Sequence, residues 1–373
     1  MTLRILIVGA GTAGLAVARG LRVAGFRPDV VEALPADTVP QAGIFLPGNA
    51  TRALRELGLD APLRPLGDLI FRQVFQDARG RKLFELDVAA IWAGVGESRA
   101  MSRADLQQVL LSGVGGEVRY DTRVTGLAIE NGGAKVDFSD GGVAEYDLVI
   151  GADGRRSTIR TAAGLGGPAT PTGQIAYRSV VSGGPPLSEW TALLGRRSGF
   201  AIVPMGGRRL YCYADVPAPD ALDPAAPDTK DPRERMRELF GSFGGAVPAV
   251  LEAIETVSVA RTDEVMLERW STGPVLLVGD AAHATAPSLA QGAAMACEDA
   301  VVLAEVLRGS PDDIPAALAA YERRRRPRCR HVRERTRDRD RTRDVPPALR
   351  DPMLRRRGRR IFTDHYRELL APL

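Results

Sequence analysis

The 373-residue sequence predicts an α/β fold in which a parallel, helix-flanked sheet is interrupted by a second, mixed sheet. Three observations lead there. The chain opens with a strand, a glycine turn and a helix in direct succession. Two later apolar runs, Tyr146 to Ile150 and Val275 to Val278, read as buried strands ending at Gly151-Ala152-Asp153-Gly154 and Gly279-Asp280. Between them, residues 165–265 turn to Gly- and Pro-rich sequence with short strand-like runs. Continuous apolar runs of this length suit strands of a parallel sheet that is covered on both faces.

The opening unit carries the most information. Leu3 to Val8 has strand length, Gly9-Ala10-Gly11-Thr12-Ala13-Gly14 follows, and Leu15 to Ala24 has apolar residues at helical spacing. A second strand, Pro28 to Val31, ends on Glu32, 23 positions after Gly9. Glycines at these positions permit a tight turn, a close backbone approach and close helix–strand packing. The helix start offers unpaired N–H groups to a pyrophosphate, and the acid suits a ribose diol. The unit therefore predicts a dinucleotide site and leaves NAD and FAD both open.

A loop containing Pro35 and Pro40 follows, and then a helix from about Ala50 to Leu57 with Asn49 as its N-cap. Leu69 to Leu86 reads as a hairpin turning at Asp77 to Gly80. Ser102 caps a helix running to about Leu111, with Asp105 in the place of the capping-box acid. Strands at Glu117 to Tyr120, Val124 to Glu130 and Ala134 to Ser139 are joined by turns at Asn131-Gly132 and Asp140-Gly141. Ser157 to Ala163 is helical. The inserted region predicts strands at Ile175 to Val181, Trp190 to Leu194, Phe200 to Pro204, Leu210 to Asp215 and Val257 to Arg261, with a helix at Glu234 to Phe240. An Ala-rich helix from Gly292 to Leu307 and a further helix from about Ile314 close the reading.

Composition narrows the class. Three cysteines without C-x-x-C spacing argue against disulfides and zinc and fit a reducing cytoplasm. His283, His331 and His365 are scattered, so no metal centre is expected. The first residues enter a strand at once, unlike a signal peptide, and no apolar run approaches the ~20 residues of a membrane span. The net charge of +4 is unevenly spread. Residues 322–360 hold 18 Arg against 6 acids, a local balance of +12, so the remainder carries −8.

Three segments together resemble the FAD-dependent aromatic hydroxylases, the para-hydroxybenzoate hydroxylase-like single-component flavoprotein monooxygenases. They are Gly9 to Gly14 with Glu32, Gly151 to Ser157, and Gly279-Asp280-Ala281-Ala282-His283 with Pro287 and Gln291-Gly292-Ala293. The resemblance implies a Rossmann-like, glutathione-reductase-type FAD-binding domain from residues 1–68, 100–165 and 266–320. It also implies a substrate domain from 69–99 and 166–265 and an Arg-rich helical region at 321–373. It implies that Gly9, Gly11, Thr12, Ala13, Gly14 and Glu32 hold the ADP half of FAD, and that Asp280 takes a ribityl hydroxyl. Pro287 would lie against the isoalloxazine, with Gly292, Ala293 and Ala294 presenting N–H groups to its pyrimidine end. Asp153, Arg103 and Gln107 are further FAD contacts on the same basis, and His283 belongs to the cofactor loop. Two positions depart from the family: Ala33 stands where Arg often follows the ribose acid, and Ala290 stands where glycine precedes Gln-Gly-Ala.

The implied reaction is an NAD(P)H-driven insertion of one oxygen atom from O2, through a flavin hydroperoxide, into an aromatic or other electron-rich small molecule. Such a reaction fits secondary metabolism. Candidates for the pocket are Tyr177, Arg178, Phe200, Pro204, Met205, Tyr211 and Tyr213. Tyr211 and Tyr213 share a strand face, as pocket or as core. Arg178 is placed either to bind a carboxylate or phenolate or to face solvent. A flavoprotein oxidoreductase without oxygen insertion is the alternative enzyme. A halogenase would need a Trp-x-Trp-x-Ile-Pro stretch, but Trp92, Trp190 and Trp270 are isolated. The arginine tail offers a different class, binding of nucleic acid or an acidic partner. Its interleaved Glu334, Asp338, Asp340 and Asp344 favour a solvated helix with internal ion pairs instead. A monomer or homodimer is expected.

Overall fold

The strand Ile5–Val8 is buried at all four positions, because strands flank it on both edges and helices cover its sheet. In the computed structural model, which describes residues 3–38, 42–130, 132–218 and 230–373, this strand lies near the middle of a six-stranded sheet. The order is Ser271–Thr272, Val275–Leu277, Leu148–Gly151, Ile5–Val8, Asp29–Val31, Val118–Arg119. All neighbours are parallel except the first pair. Pro40 and Asn131, assigned above to a loop and a turn, lie outside the described residues. No helix among the described residues is long and apolar enough to cross a membrane.

The region expected as one strand from Tyr146 to Ile150 is two. Val143–Tyr146 closes an antiparallel three-stranded sheet with Gly133–Phe138 and Val124–Glu130, and Leu148–Gly151 joins the parallel sheet. The break is at Asp147, whose carboxylate accepts from the Arg4 backbone N–H at 2.7 Å. An apolar run alone cannot reveal such a change of sheet.

The inserted region supplies five strands of a seven-stranded sheet, mixed as its short strand-like runs predict. Its order is Ser258–Glu264, Thr170–Ser182, Arg209–Pro217, Gly199–Pro204, Trp190–Leu194, Arg72–Asp77, Lys82–Asp87. The early hairpin is thus its outer edge, joined through a parallel pairing of Arg72–Asp77 with Trp190–Leu194. Strand alternation separates the two faces. Leu210, Cys212 and Ala214 enter a second core with Phe240, Phe243 and Val250, contributed by the helices Pro232–Phe240 and Val247–Ala253 and the loop between them. Tyr211, Tyr213 and Asp215 point to the other face.

The arginine-rich end departs most from expectation. Ile314–Asp344 is one helix, and a separate helix, Pro347–Asp364, packs over the outer hairpin. Their arginines are a solvated face only in part: Arg323, Arg330, Arg341 and the five between 355 and 360 are exposed. Arg325, Arg339 and Arg350 are buried, and Arg343 is nearly so. Arg350 donates to the carbonyls of Leu194 and Gly195 at 2.9 and 2.5 Å, closing the end of an inserted strand. The expected surface pairs survive only in part, for example Asp338 with Arg335 and Arg341. Helical periodicity is visible here, but a guanidinium pattern does not announce partners as distant as Glu298 and Asp299 for Arg325, or Leu194 and Gly195 for Arg350.

This end carries a pH-sensitive group. Burial, with Arg339, Arg335 and His331 beside it, pushes the His365 imidazole down to about 3. The unfolded chain takes up that proton near pH 6.5, so stability falls as pH drops from about 6.5 towards 3. A His365→Gln variant is expected to flatten the acid limb of a stability–pH curve by up to ~1.4 kcal/mol per pH unit. Urea unfolding at pH 4, 5 and 7 measures it, and an unchanged slope would refute the assignment.

Candidate functional site

The glycine loop is shaped by contact. Gly9 has φ +107, and a Cβ there would lie 2.6 Å from the Ala152 carbonyl oxygen. A Cβ on Gly14 would lie 1.8 Å from the Gly9 carbonyl oxygen, so the helix Thr12–Val23 sits directly against the turn. At Gly11 a Cβ would meet nothing within 4 Å. That glycine faces open space, as a pyrophosphate cradle requires. Glu32 fixes the turn: its carboxylate accepts from the N–H of Ala10 at 2.7 Å and of Leu34 at 3.0 Å.

Gly11, Thr12 and Ala13 open into a cleft of about 420 Å³ that runs between the parallel sheet and the inserted sheet. Arg155, Asp280, Pro287, Gly292 and Ala293 line the same cleft, as does Arg103, which lies close enough to Tyr211 to act on its phenol. Arg155, quoted above only as part of a motif, pairs with Asp280 at 3.0 Å. The Ala-rich helix Gly292–Gly309 begins here. Its first internal bond is from Met295 N–H to Gln291, and of the three N–H groups before it those of Gly292 and Ala293 lie at the cleft. The cradle at Gly11 and this open helix start fit an FAD lying along the cleft. Gly9, Gly14, Glu32, Gln107 and Ala294 do not line it; the first three shape the loop. Asp153 also stands back. Its Oδ2 caps the helix Thr158–Ala162 through Thr158 N, Thr158 Oγ1 and Ile159 N at 2.7, 3.0 and 3.1 Å. Its Oδ1 is buried with no partner among the described residues.

Ala290 adopts φ +55 at the bend before Gln291. An L-residue pays about 1–2 kcal/mol there, which explains the physical value of glycine at this position. Ala290→Gly is expected to raise stability slightly, by ~0.5 kcal/mol once the flexibility of glycine is counted. A lower urea midpoint would contradict it.

Behind the helix start lies a buried polar network that sequence reading missed. Asn49 is not a cap. It is fully buried and donates to Gln291 and Glu298, both at 2.9 Å. Pro47 precedes that helix, which spans Gly48–Glu56 and has no side-chain cap. Arg325 binds Asp299 at 2.8 Å and Glu298 at 2.6 Å, and Arg328 binds Glu298 as well. Asp299 accepts from the Gly279 N–H at 2.8 Å and meets His283 at 2.7 Å. Burial opposes charge on His283, but the Asp299 carboxylate outweighs it and holds the imidazole well above its ordinary value. His283 is thereby a fixed support for the Gly279-Asp280 turn. The ligand atoms of His283, Asp299 and Cys329 lie within 4.8 Å of one another. The Arg325 guanidinium, 3.8 Å from Cys329 Sγ, already supplies positive charge there.

The far end of the cleft is aromatic and arginine-rich. Phe200, Tyr211, Tyr213 and Arg178 line it, with Phe75, Trp190 and Phe362. Tyr177 instead packs against Phe240 in the second core, and the buried Met205 stays out of the cleft. Arg178 lies 5.5 Å over the Tyr213 ring. Burial raises the Tyr211 phenol above its ordinary pKa, with Arg178 offsetting part of the rise, so it stays neutral. Tyr213 Oη donates to Asp215 at 3.3 Å, and Asp215 pairs with Arg343.

Residues 2–336 match the FAD binding domain family. The FAD-dependent urate hydroxylase of Mycolicibacterium vanbaalenii is 31% identical over 339 residues, covering 86% of this chain and 83% of that protein. The chain belongs to the FAD-dependent aromatic hydroxylases. Within that family of monooxygenases, the aurachin C monooxygenase/isomerase of Stigmatella aurantiaca is 32% identical over 327 residues, covering 86% and 84% of the two chains. Among solved structures, Klebsiella pneumoniae HpxO complexed with FAD and uric acid superposes with a TM-score of 0.88 at 28% identity, over 99% of this chain and 97% of that one. The hydroxylase therefore has the cofactor fold and the inserted sheet of its family. Arg339, Arg343 and the terminal helix lie beyond the residues matched to the FAD binding domain.

Proposed function

We propose that this hydroxylase uses NAD(P)H and O2 to place one oxygen atom on an electron-rich aromatic or heteroaromatic ring held in the cleft. The observation that carries the reading is the continuity of that cleft, from the open cradle at Gly11 to the aromatic wall of the inserted sheet. Bound FAD supplies the reactivity towards the hydride donor and O2. Gly11, Thr12 and Ala13 would hold its pyrophosphate, Arg103 would reach the pyrophosphate or the ribityl chain, and Asp280, freed from Arg155, would take a ribityl hydroxyl. The N–H groups of Gly292 and Ala293 would favour negative charge on a flavin pyrimidine ring bound against them.

The chain's own part is to bind, orient and dry the ring. Phe75, Trp190, Phe200 and Phe362 exclude water, which keeps a short-lived oxidant from decaying unproductively. The neutral phenol of Tyr211 offers one O–H donor and one acceptor to a ring substituent. Arg178 stabilises a substrate oxygen as it loses its proton, which raises the electron density of the ring. Relatives acting on urate and on aurachin C support a small ring substrate.

The test begins with the purified protein, which should be yellow and release FAD on denaturation. Aromatic candidates are then screened for stimulated NAD(P)H oxidation under isotope-labelled O2. The expected product gains one labelled oxygen. A two-electron change in the substrate without label would instead establish a flavoprotein dehydrogenase.

A further inference from the structure

The arginine-rich end meets the cofactor loop at one point. Thr285 to Ala290 lies in no sheet, and its short turn Pro287–Leu289 rests against the long helix Ile314–Asp344. Among the described residues Ser288 makes the one side-chain hydrogen bond of this loop: its Oγ donates to Asp340 Oδ1. Arg343, one turn further along the helix, donates to the same oxygen through Nη2 at 2.5 Å. Its Nη1 reaches across to Asp215 Oδ1 on the inserted strand Arg209–Pro217. The other Asp215 oxygen accepts from Tyr213 Oη at 3.3 Å.

A chain of five polar groups therefore joins the two walls of the cleft. Ser288 stands beside Pro287 on the cofactor side, and Tyr213 stands on the aromatic side. The junction is dry and closely fitted. The Asp215 side chain is 3% exposed and that of Arg343 11%. A Cβ on Gly199 would lie 3.1 Å from Asp215 Oδ1 and 3.2 Å from Arg343 Nη1, so the neighbouring strand leaves room for the ion pair and little more. Charged hydrogen bonds in such surroundings are strong and directional. Asp340 and Arg343 lie beyond residue 336, so the link comes from outside the segment matched to the FAD binding domain.

We propose that Arg343 is a positioning residue. Through Asp340 and Ser288 it holds the loop that carries Pro287, and through Asp215 it holds the strand that carries Tyr213. One guanidinium thereby fixes the distance between the bound flavin ring and the substrate ring, a quantity to which a transfer step is steeply sensitive. The proposal rests on reading the cleft as the monooxygenase site.

Three variants separate the links. Ser288→Ala cuts the loop from the helix and leaves the ion pairs, Arg343→Met releases both walls, and Arg343→Lys keeps a charge that can serve one acid at a time. Two measurements read them: hydrogen exchange of a peptide covering residues 285–291 in the apoprotein, and the time-resolved fluorescence anisotropy of bound FAD. Exchange in that peptide is expected to rise at least about fivefold in Ser288→Ala and Arg343→Met, the scale of one lost hydrogen bond, while the peptide around Gly11 is unchanged. Bound FAD is expected to show a fast ring motion in both variants that the wild type lacks. FAD affinity should change by less than about fivefold, because the Gly11 cradle is untouched. Arg343→Lys should fall between wild type and Arg343→Met. Exchange and ring motion equal to wild type in Ser288→Ala overturn the proposal whatever Arg343→Met does, because Arg343 then acts on the fold and not through the loop. Protein that takes up no FAD ends the monooxygenase reading and this proposal with it, whereas FAD uptake with an unchanged loop ends the proposal alone.

Discussion

Replacing Arg325 with methionine is expected to destabilise the protein by about 3–5 kcal/mol, the cost of removing one partner from a buried ion pair. Arg325 is 1% exposed, and the Glu298 and Asp299 carboxylates that it binds are fully buried. Methionine fills much of the volume and leaves two acids with less compensation. Arg328 still holds Glu298, and His283 still meets Asp299, so the lower part of the range is expected. FAD retention should fall too, because Glu298 anchors Asn49 beside Gln291, and Asp299 anchors the N–H of Gly279. The loss should deepen when Glu298→Gln and Asp299→Asn are added, since Arg328 and the His283 imidazolium then lose their carboxylate partners. Urea unfolding of the single and triple variants measures both. A single variant within ~1 kcal/mol of wild type would show that the network contributes little.

Gly14→Ala is the second large effect. Its Cβ would lie 1.8 Å from a backbone oxygen, which no rotamer can relieve. The first helix must move off the turn, at a cost of about 1–3 kcal/mol or more. FAD should be lost, because the N–H groups at the helix start move with it. Gly11→Ala provides the contrast. Its Cβ meets nothing in the protein, so the unfolding midpoint should stay within ~0.5 kcal/mol of wild type while FAD affinity drops at least tenfold. Equal flavin content in wild type and Gly11→Ala would remove the pyrophosphate from this loop.

Local patterns made the cofactor half legible. The turn Gly9 to Gly14, the acid Glu32 and the two later strand ends are short-range signals, and a parallel sheet brings them to one edge by its topology. The capping Ser102 was readable for the same reason: its hydroxyl accepts from the Asp105 N–H only three positions away. What stayed hidden depends on distant partners. Asn49 resembles a cap until Gln291 and Glu298 arrive, some 240 positions later. Arg339 resembles a surface residue until Phe75 and Phe362 close on it. Tyr177 and Arg178 are adjacent, so strand alternation had to send one of them to the second core, and the sequence does not say which.

The terminal helix also bears on how the chain is made. Phe362 packs edge-on against Phe75 and Phe84 at 4.9 Å from each ring centre. From Phe84 to Phe362, synthesis must add 278 residues, on the order of tens of seconds of translation. Throughout that time the outer hairpin waits without its cover, and a nascent chain with bare stacked rings is a target for chaperones and for aggregation. A stop codon before residue 347 leaves the whole matched cofactor segment in place, yet it should yield insoluble protein because the hairpin never receives its lid.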